Sequence, residues 1–248
     1  MSDDLSTLMA EQLAYYRRGA TEYDEANRVL RVADDDDGRS RRHGHGRAVE
    51  VLATVAAGRD VVELAGGTGI YTSVLAAHAA ALTVVDASPE SIAINRAATA
   101  GAPVDIDFRV GDVFSWRPPR RYEVVVFAFW LSHVPKTLFA EFWRVVDGAL
   151  VDGGTVVVVD AQQTDIRPVD GNFFSEQRLD DDLSIRSLSD GSRFRIVRVL
   201  WDQEDLTRRL DDEGWRITVD NGAAPWLVAT VRRATDQPGP RQLGEPAT

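Results

Sequence analysis

Residues 61–69, VVELAGGTG, constrain the fold of this chain more than any other stretch. Two β-branched residues lead into Glu63 and Leu64, and three glycines follow within four positions. β-Branched side chains suit a pleated, buried strand, while Gly66, Gly67 and Gly69 let the backbone turn sharply and approach a ligand. The pattern predicts a buried strand, a glycine-rich loop and a helix from about Ile70 whose first N–H groups face that loop. Such a unit opens an α/β sheet that binds nucleotides at the carboxyl ends of its strands.

The following segments keep the alternation of strand and helix. Residues 81–85 (ALTVV) are a short apolar run ending in Asp86, 19 positions beyond Gly67. That is near the spacing of about 20 at which a carboxylate meets a ribose diol. Ser88 and Pro89 already supply a cap and a first-turn proline for the next helix. A capping role for Asp86 is therefore less needed than the ribose role. Residues 104–110 alternate and run into Gly111-Asp112-Val113, where Asp112 suits either a ligand contact or a solvated turn. Residues 122–130 (YEVVVFAFW) are continuously apolar, as in a central parallel strand covered on both faces. Leu131-Ser132-His133-Val134-Pro135 follows, then a helix over 136–150, a turn at Asp152-Gly153-Gly154 and a buried strand over 155–160.

Beyond it, residues 162–192 are polar and irregular, and 194–200 read as one extra strand. Asp202 caps a helix to about Glu213, and 215–219 with 226–231 close the sheet as an antiparallel pair. The expected fold class is α/β: a Rossmann-like sheet of about seven mostly parallel strands sandwiched by helices. An N-terminal helical segment (1–58) precedes a core over 59–233, which carries an insertion over 162–200 after strand five. Leu5, Leu8, Met9, Leu13 and Tyr16 form an apolar stripe in that segment, and residues 34–47 read as a solvated, charged loop. Residues 234–248 hold three prolines and little apolar surface, and read as a disordered tail.

Glu63-Leu64-Ala65-Gly66-Gly67-Thr68-Gly69, then Asp86, Gly111-Asp112-Val113, Leu131-Ser132-His133-Val134 and Gly153-Gly154 stand in a fixed order. Together they resemble the landmarks of class I S-adenosylmethionine-dependent methyltransferases of the small-molecule type. Ala65 replaces a common glycine and Ser132 one histidine of the family pattern. The resemblance implies S-adenosylmethionine as methyl donor and S-adenosylhomocysteine as product. It implies cofactor contacts from Glu63, Ala65, Gly66, Gly67, Asp86, Ala87, Asp112, Val113 and Phe127, with Asp86 on the ribose and Asp112 and the Val113 N–H on the adenine. Residues 15–24 (YYRRGATEYD) resemble a segment that lies over the cofactor in such enzymes, which makes residues 1–58 a lid with Tyr16 on the cofactor and Tyr23 on the acceptor. The family's arginine falls on Gly19, and Arg17 and Arg18 are the nearest substitutes. An NAD(P)-dependent oxidoreductase is the enzymatic alternative, weakened because Thr72 takes the slot where the dinucleotide fingerprint needs glycine or alanine. A non-catalytic S-adenosylmethionine sensor is the other.

His133 follows the fourth strand and is the candidate base, because imidazole titrates near neutrality. Phe127, Phe129 and Trp130 cluster at the site with Phe173 and Phe174 of the insertion, and with Tyr23 suggest a hydrophobic or aromatic acceptor of secondary metabolism bearing a nitrogen, oxygen or aromatic-carbon nucleophile. Metal-dependent relatives place acids where this chain has Phe129-Trp130, so no metal ligand is assigned. His43 and His45, read as extended, would point both rings to one side of a loop rich in arginine. The absence of cysteine excludes disulfides, and a net charge of −11 argues against a nucleic-acid partner. With no long apolar run and no basic-then-apolar leader, the expectation is a cytoplasmic protein without a membrane partner. Oligomeric state stays open, a homodimer included.

Overall fold

The computed structural model describes residues 3–25, 36–161, 176–223 and 226–236. Ten strands are named in chain order: β1 (Asp60–Leu64), β2 (Ala81–Asp86), β3 (Ile106–Val110), β4 (Tyr122–Ala128), β5 (Leu150–Ala161), β6 (Glu176–Arg178), β7 (Leu183–Ser187), β8 (Arg193–Val197), β9 (Trp215–Val219) and β10 (Trp226–Arg233). The helices are α1 (Asp3–Arg18), a further turn over 20–25 (α2), α3 (Asp36–Ala56), α4 (Thr72–His78), α5 (Pro89–Ala98), α6 (Phe139–Ala149) and α7 (Gln203–Asp212).

Seven strands form one sheet in the order β3-β2-β1-β4-β5-β10-β9. β1 pairs in parallel with β2 and β4, and β10 lies antiparallel between β5 and β9. The chain runs outwards from β1 in both directions, so a crevice opens above the carboxyl ends of β1 and β4. The period of two sorts each central strand between two cores. Val62, Leu64, Val125 and Phe127 pack against Phe142 and Trp143 of α6. Val61, Val124 and Val126 pack against Leu52 of α3 and Leu75 of α4. Each such side chain, fully removed from water, stabilises the fold by ~1.5–3 kcal/mol. Asp202 caps α7 as expected, accepting from the N–H groups of Glu204 and Asp205.

Three expectations change. The supposed loop over 34–47 belongs, from Asp36 onward, to the long helix α3. Packing overrides the poor local propensity there: a Cβ on Gly44 would lie 2.3 Å from Trp226, so glycine lets α3 approach β10. Where one extra strand was expected, the insertion builds an antiparallel sheet, β6-β7-β8. That sheet and α1 share a small core of Tyr15, Leu188, Phe194 and Ile196. Within the expected tail, residues 234–236 form a helical turn, and 237–248 lie outside the described residues. Among the described residues no helix is long and apolar enough to cross a membrane.

Candidate functional site

The glycine loop after β1 is held from behind. Glu63, 2 % exposed, accepts a hydrogen bond of 2.5 Å from the Thr72 hydroxyl at the start of α4. Asn95 of α5 donates to that hydroxyl at 2.9 Å and to the Gly67 carbonyl at 3.3 Å. Gly69 has φ +95°, and a Cβ there would lie 2.5 Å from the Asn95 side chain, so this glycine is required twice over. Burial pushes the Glu63 carboxyl up to about 8, against the bond from Thr72. Glu63 therefore braces the loop rather than facing the crevice, a correction to its expected cofactor contact. Gly66 also stands behind the loop, donating its N–H to the Val85 carbonyl at 3.2 Å. Ala65, with φ +53°, holds the left-handed conformation that the family pattern leaves to glycine. That conformation costs a residue with a Cβ ~1–2 kcal/mol.

In front of the loop, Asp86 takes the Gly67 N–H on one carboxylate oxygen and the Ser88 N–H on the other, both at 2.8 Å. Ser88 caps α5 by accepting from the Ser91 N–H at 3.0 Å, so the cap is supplied without Asp86. Burial raises the Asp86 carboxyl, and its two backbone donors oppose that shift. Asp112 accepts from the Phe114 N–H at 3.0 Å. Both acids line a cavity of about 360 Å³ between the strand ends and the underside of α1. Ala65, Gly67, Ala87, Val113 and Trp130 line it from below, and Tyr16 and Tyr23 from above.

Phe127, expected on the cofactor, does not reach the cavity. It is fully buried on the α6 side of β4, edge-on to Phe142 with ring centroids 5.0 Å apart. Phe129 lines the cavity instead, just past the strand end, where φ is +53°. The apolar run signalled a strand without showing where its period-two alternation stops. Met9, Leu13 and Gln12 of α1, and Thr68 of the loop, also line the cavity without having been singled out for it. Arg17 pairs with Glu90 at 3.1 Å and Arg18 with Asp190 at 2.8 Å, both near the surface, and neither lines the cavity. Phe173 and Phe174 lie outside the described residues.

His133 is 4 % exposed and sits behind the cavity wall rather than in it. Its Nδ1 lies 2.7 Å from the Val197 carbonyl and its Nε2 lies 2.8 Å from the Tyr16 hydroxyl. A carbonyl only accepts, so Nδ1 carries the proton; in the neutral ring Nε2 then accepts from Tyr16. Burial holds the imidazole well below its ordinary value, with Arg186 and Arg198 adding to the shift. Arg186 donates to the Tyr16 oxygen at 3.3 Å and to Glu176, while Arg198 donates to the Ser132 hydroxyl at 2.9 Å. Asp160 accepts the Ser132 and Ala161 N–H groups at 2.9 and 2.7 Å, which fixes the turn after β4. The two other motif histidines do not converge. On helix α3, His43 meets the Gly222 carbonyl and His45 the Tyr71 hydroxyl, correcting the expected extended pair.

Comparison with known proteins adds independent findings. A family described as "Methyltransferase domain" matches residues 61–154. The DhpI–SAH complex is 34 % identical, with 91 % of this chain and 97 % of that chain covered and a TM-score of 0.72. The DhpI–SAM–HEP complex is 36 % identical over the same shares, 91 % and 97 %, with a TM-score of 0.73. The CcbJ methyltransferase from Streptomyces caelestis is 20 % identical, covers 89 % of this chain and 98 % of its own, and has a TM-score of 0.61, a likeness of fold. A comparison with curated proteins gave no match.

Proposed function

From the premise that the chain belongs to the class I S-adenosylmethionine-dependent methyltransferases and methylates a small organic molecule, we propose that its acceptor is a hydrophobic or aromatic compound of secondary metabolism. The observation that carries this reading is the cavity, whose acids, Asp86 and Asp112, face an apolar cover made by Met9, Leu13, Tyr16 and Tyr23. The residues present fit the methyl donor. Asp86 supplies a carboxylate for the ribose diol, Asp112 and the Val113 N–H an edge for the adenine, and the loop at Ala65 and Gly67 a close backbone approach. The Thr68 hydroxyl is buried, without a hydrogen-bond partner among the described residues, and its residue lines the same cavity. A buried orphan of this kind fits a polar ligand.

When bound, the cofactor supplies an electrophilic methyl group on a sulfonium. The chain's own work is positioning and exclusion of water. Phe129 and Trp130 set the floor and α1 the cover, and ideal alignment of reacting atoms contributes up to ~7–11 kcal/mol. His133, behind the cavity wall, is the group that finally holds the proton of an acceptor that enters protonated, and transfer proceeds without a metal ion. The DhpI complex that holds SAM and HEP together supports a second ligand bound along with the donor. Residues 1–58 act as the lid, 59–233 as the catalytic core, and 162–200 as the acceptor-side insertion. We place the enzyme in the cytoplasm, and its net charge of −11 argues against work on nucleic acid.

The test is incubation with methyl-labelled S-adenosylmethionine and a metabolite extract, read by mass spectrometry. Label on one apolar small molecule is the expected result. Label confined to nucleic acid or protein would sink the reading. Calorimetry with S-adenosylhomocysteine and NAD checks the cofactor separately, and only the former should bind.

A further inference from the structure

The buried histidine does not itself reach the cavity. His133 has both ring nitrogens occupied, Nδ1 by the Val197 carbonyl and Nε2 by the Tyr16 hydroxyl, and it does not line the cavity. Tyr16 does line it. The Tyr16 oxygen donates its proton to Nε2 and accepts one from Arg186 at 3.3 Å. A phenolic oxygen has a second lone pair, which is free to accept an X–H from a molecule in the cavity.

We propose that Tyr16 is a catalytic residue that relays the acceptor's proton to His133, which acts through it as a positioning residue and proton store. This rests on the methyltransferase reading above and deepens it for an acceptor that enters protonated. As the acceptor heteroatom X bonds to the methyl carbon, the carbon–sulfur bond breaks and its electron pair stays on sulfur. The X–H proton passes to the Tyr16 oxygen while the phenolic proton passes to Nε2 of His133. The products are X–CH3, the thioether and an imidazolium whose two N–H groups face the Val197 carbonyl and the Tyr16 oxygen. Positive charge moves from sulfur to imidazole, and the proton later leaves by the same route.

The surroundings decide when this happens. Arg186 of β7 and Arg198, just past β8, face the pair; Glu176 of β6 neutralises part of their charge, and Asp160 of β5 lies beyond Ser132. On the lid, Tyr15 and Tyr23 ring the Tyr16 side chain. Two guanidiniums disfavour an imidazolium, so the histidine would take its proton only as positive charge is lost from the methyl donor.

The first test needs no acceptor. NMR of the ¹⁵N-histidine-labelled protein with S-adenosylhomocysteine should show His133 protonated at Nδ1, bare at Nε2, and not titrating near pH 6.5. An Nε2–H ring, or titration at an ordinary value, overturns the relay. Calorimetry on the same sample reads cofactor affinity, so absent binding with an intact Nδ1–H ring would instead sink the methyltransferase reading. With the acceptor found by labelling, Tyr16→Phe and His133→Asn should each lower kcat by roughly 10²–10⁴-fold. The double variant should be no slower than the slower single one, because the pair acts as a unit. Tyr16→Phe should retain cofactor affinity, and wild-type kcat should hold steady down to well below pH 6.5. Full kcat in Tyr16→Phe beside a slow His133→Asn would show that the histidine meets the acceptor directly.

Discussion

Asp86 engages a backbone N–H with each carboxylate oxygen, one from the glycine loop and one from the cap of α5. It thus shapes the loop as well as facing the cavity. Asp86→Ala should weaken S-adenosylhomocysteine binding by ~1–3 kcal/mol, the loss of charge-assisted bonds, read by calorimetry. Unchanged affinity would leave Asp86 as a brace alone. Ala65 offers the opposite case. Its φ of +53° costs ~1–2 kcal/mol that glycine would not pay. Ala65→Gly recovers that strain and loses ~0.4–1 kcal/mol to the freer unfolded chain. Its Tm should therefore rise by about 1–3 °C in scanning calorimetry, and a fall would show that the loop holds Ala65 without strain. Asp86 was legible in the sequence because its distance from the glycines is fixed by the length of one βα unit, and Asp112 because Gly111-Asp112-Val113 closes the next one. Asn95 was not legible. Its role depends on Gly69 and Thr72 coming within reach of a helix one strand further on.

Glu63, Thr72 and Asn95 join β1, α4 and α5, so the brace has an effect at the scale of elements. Burial lifts Glu63 to about 8, whereas the unfolded residue ionises near 4.5. Between these values the folded protein holds a proton that the unfolded chain has released, so stability falls as pH rises. The contribution is fully present below 4.5 and gone once pH has passed through about 8. Urea denaturation across that window should show the decline in wild type and a flatter profile in Glu63→Gln. Equal slopes would mean that Glu63 titrates normally. The element boundaries follow a similar division. β1, β2 and the closing pair could be read from alternation and turns, because their residues carry the whole signal. α3 could not, since its glycines look like a loop until Gly44 is seen packed against Trp226. The inserted sheet was equally hidden: its strands are five residues or fewer and rich in arginine, and their few apolar residues find partners in α1 and the distant main core.

At the scale of the molecule, α1 belongs more to the insertion than to the sheet it covers. Tyr15 packs with Leu188, Phe194 and Ile196, Glu11 holds Arg195, and Gln12 accepts the Val197 N–H at 2.9 Å. Its ties to the core are mixed: Arg17 to Glu90 on the surface, the Gln12 amide to the His133 carbonyl at 3.2 Å, the Tyr16 hydroxyl to His133 at 2.8 Å, and the partly buried Leu8 and Met9. Exposed ion pairs contribute only ~0–1 kcal/mol each, whereas a shared apolar core resists separation. Opening the cavity should therefore move α1 and β7–β8 together and break the weaker contacts first. Hydrogen exchange read by mass spectrometry, with and without S-adenosylhomocysteine, tests this directly. Protection should rise in α1 and in β7–β8 by similar factors, even though the cavity touches α1 and not those strands. Protection confined to α1 would show a lid that peels away alone. Phe194→Ala provides the control: it removes a ring from the shared core, so protection of β7–β8 should no longer follow that of α1 while the glycine loop still responds to the ligand. A common response would make the lid and the inserted sheet one moving part, coupling cofactor binding to the position of the insertion.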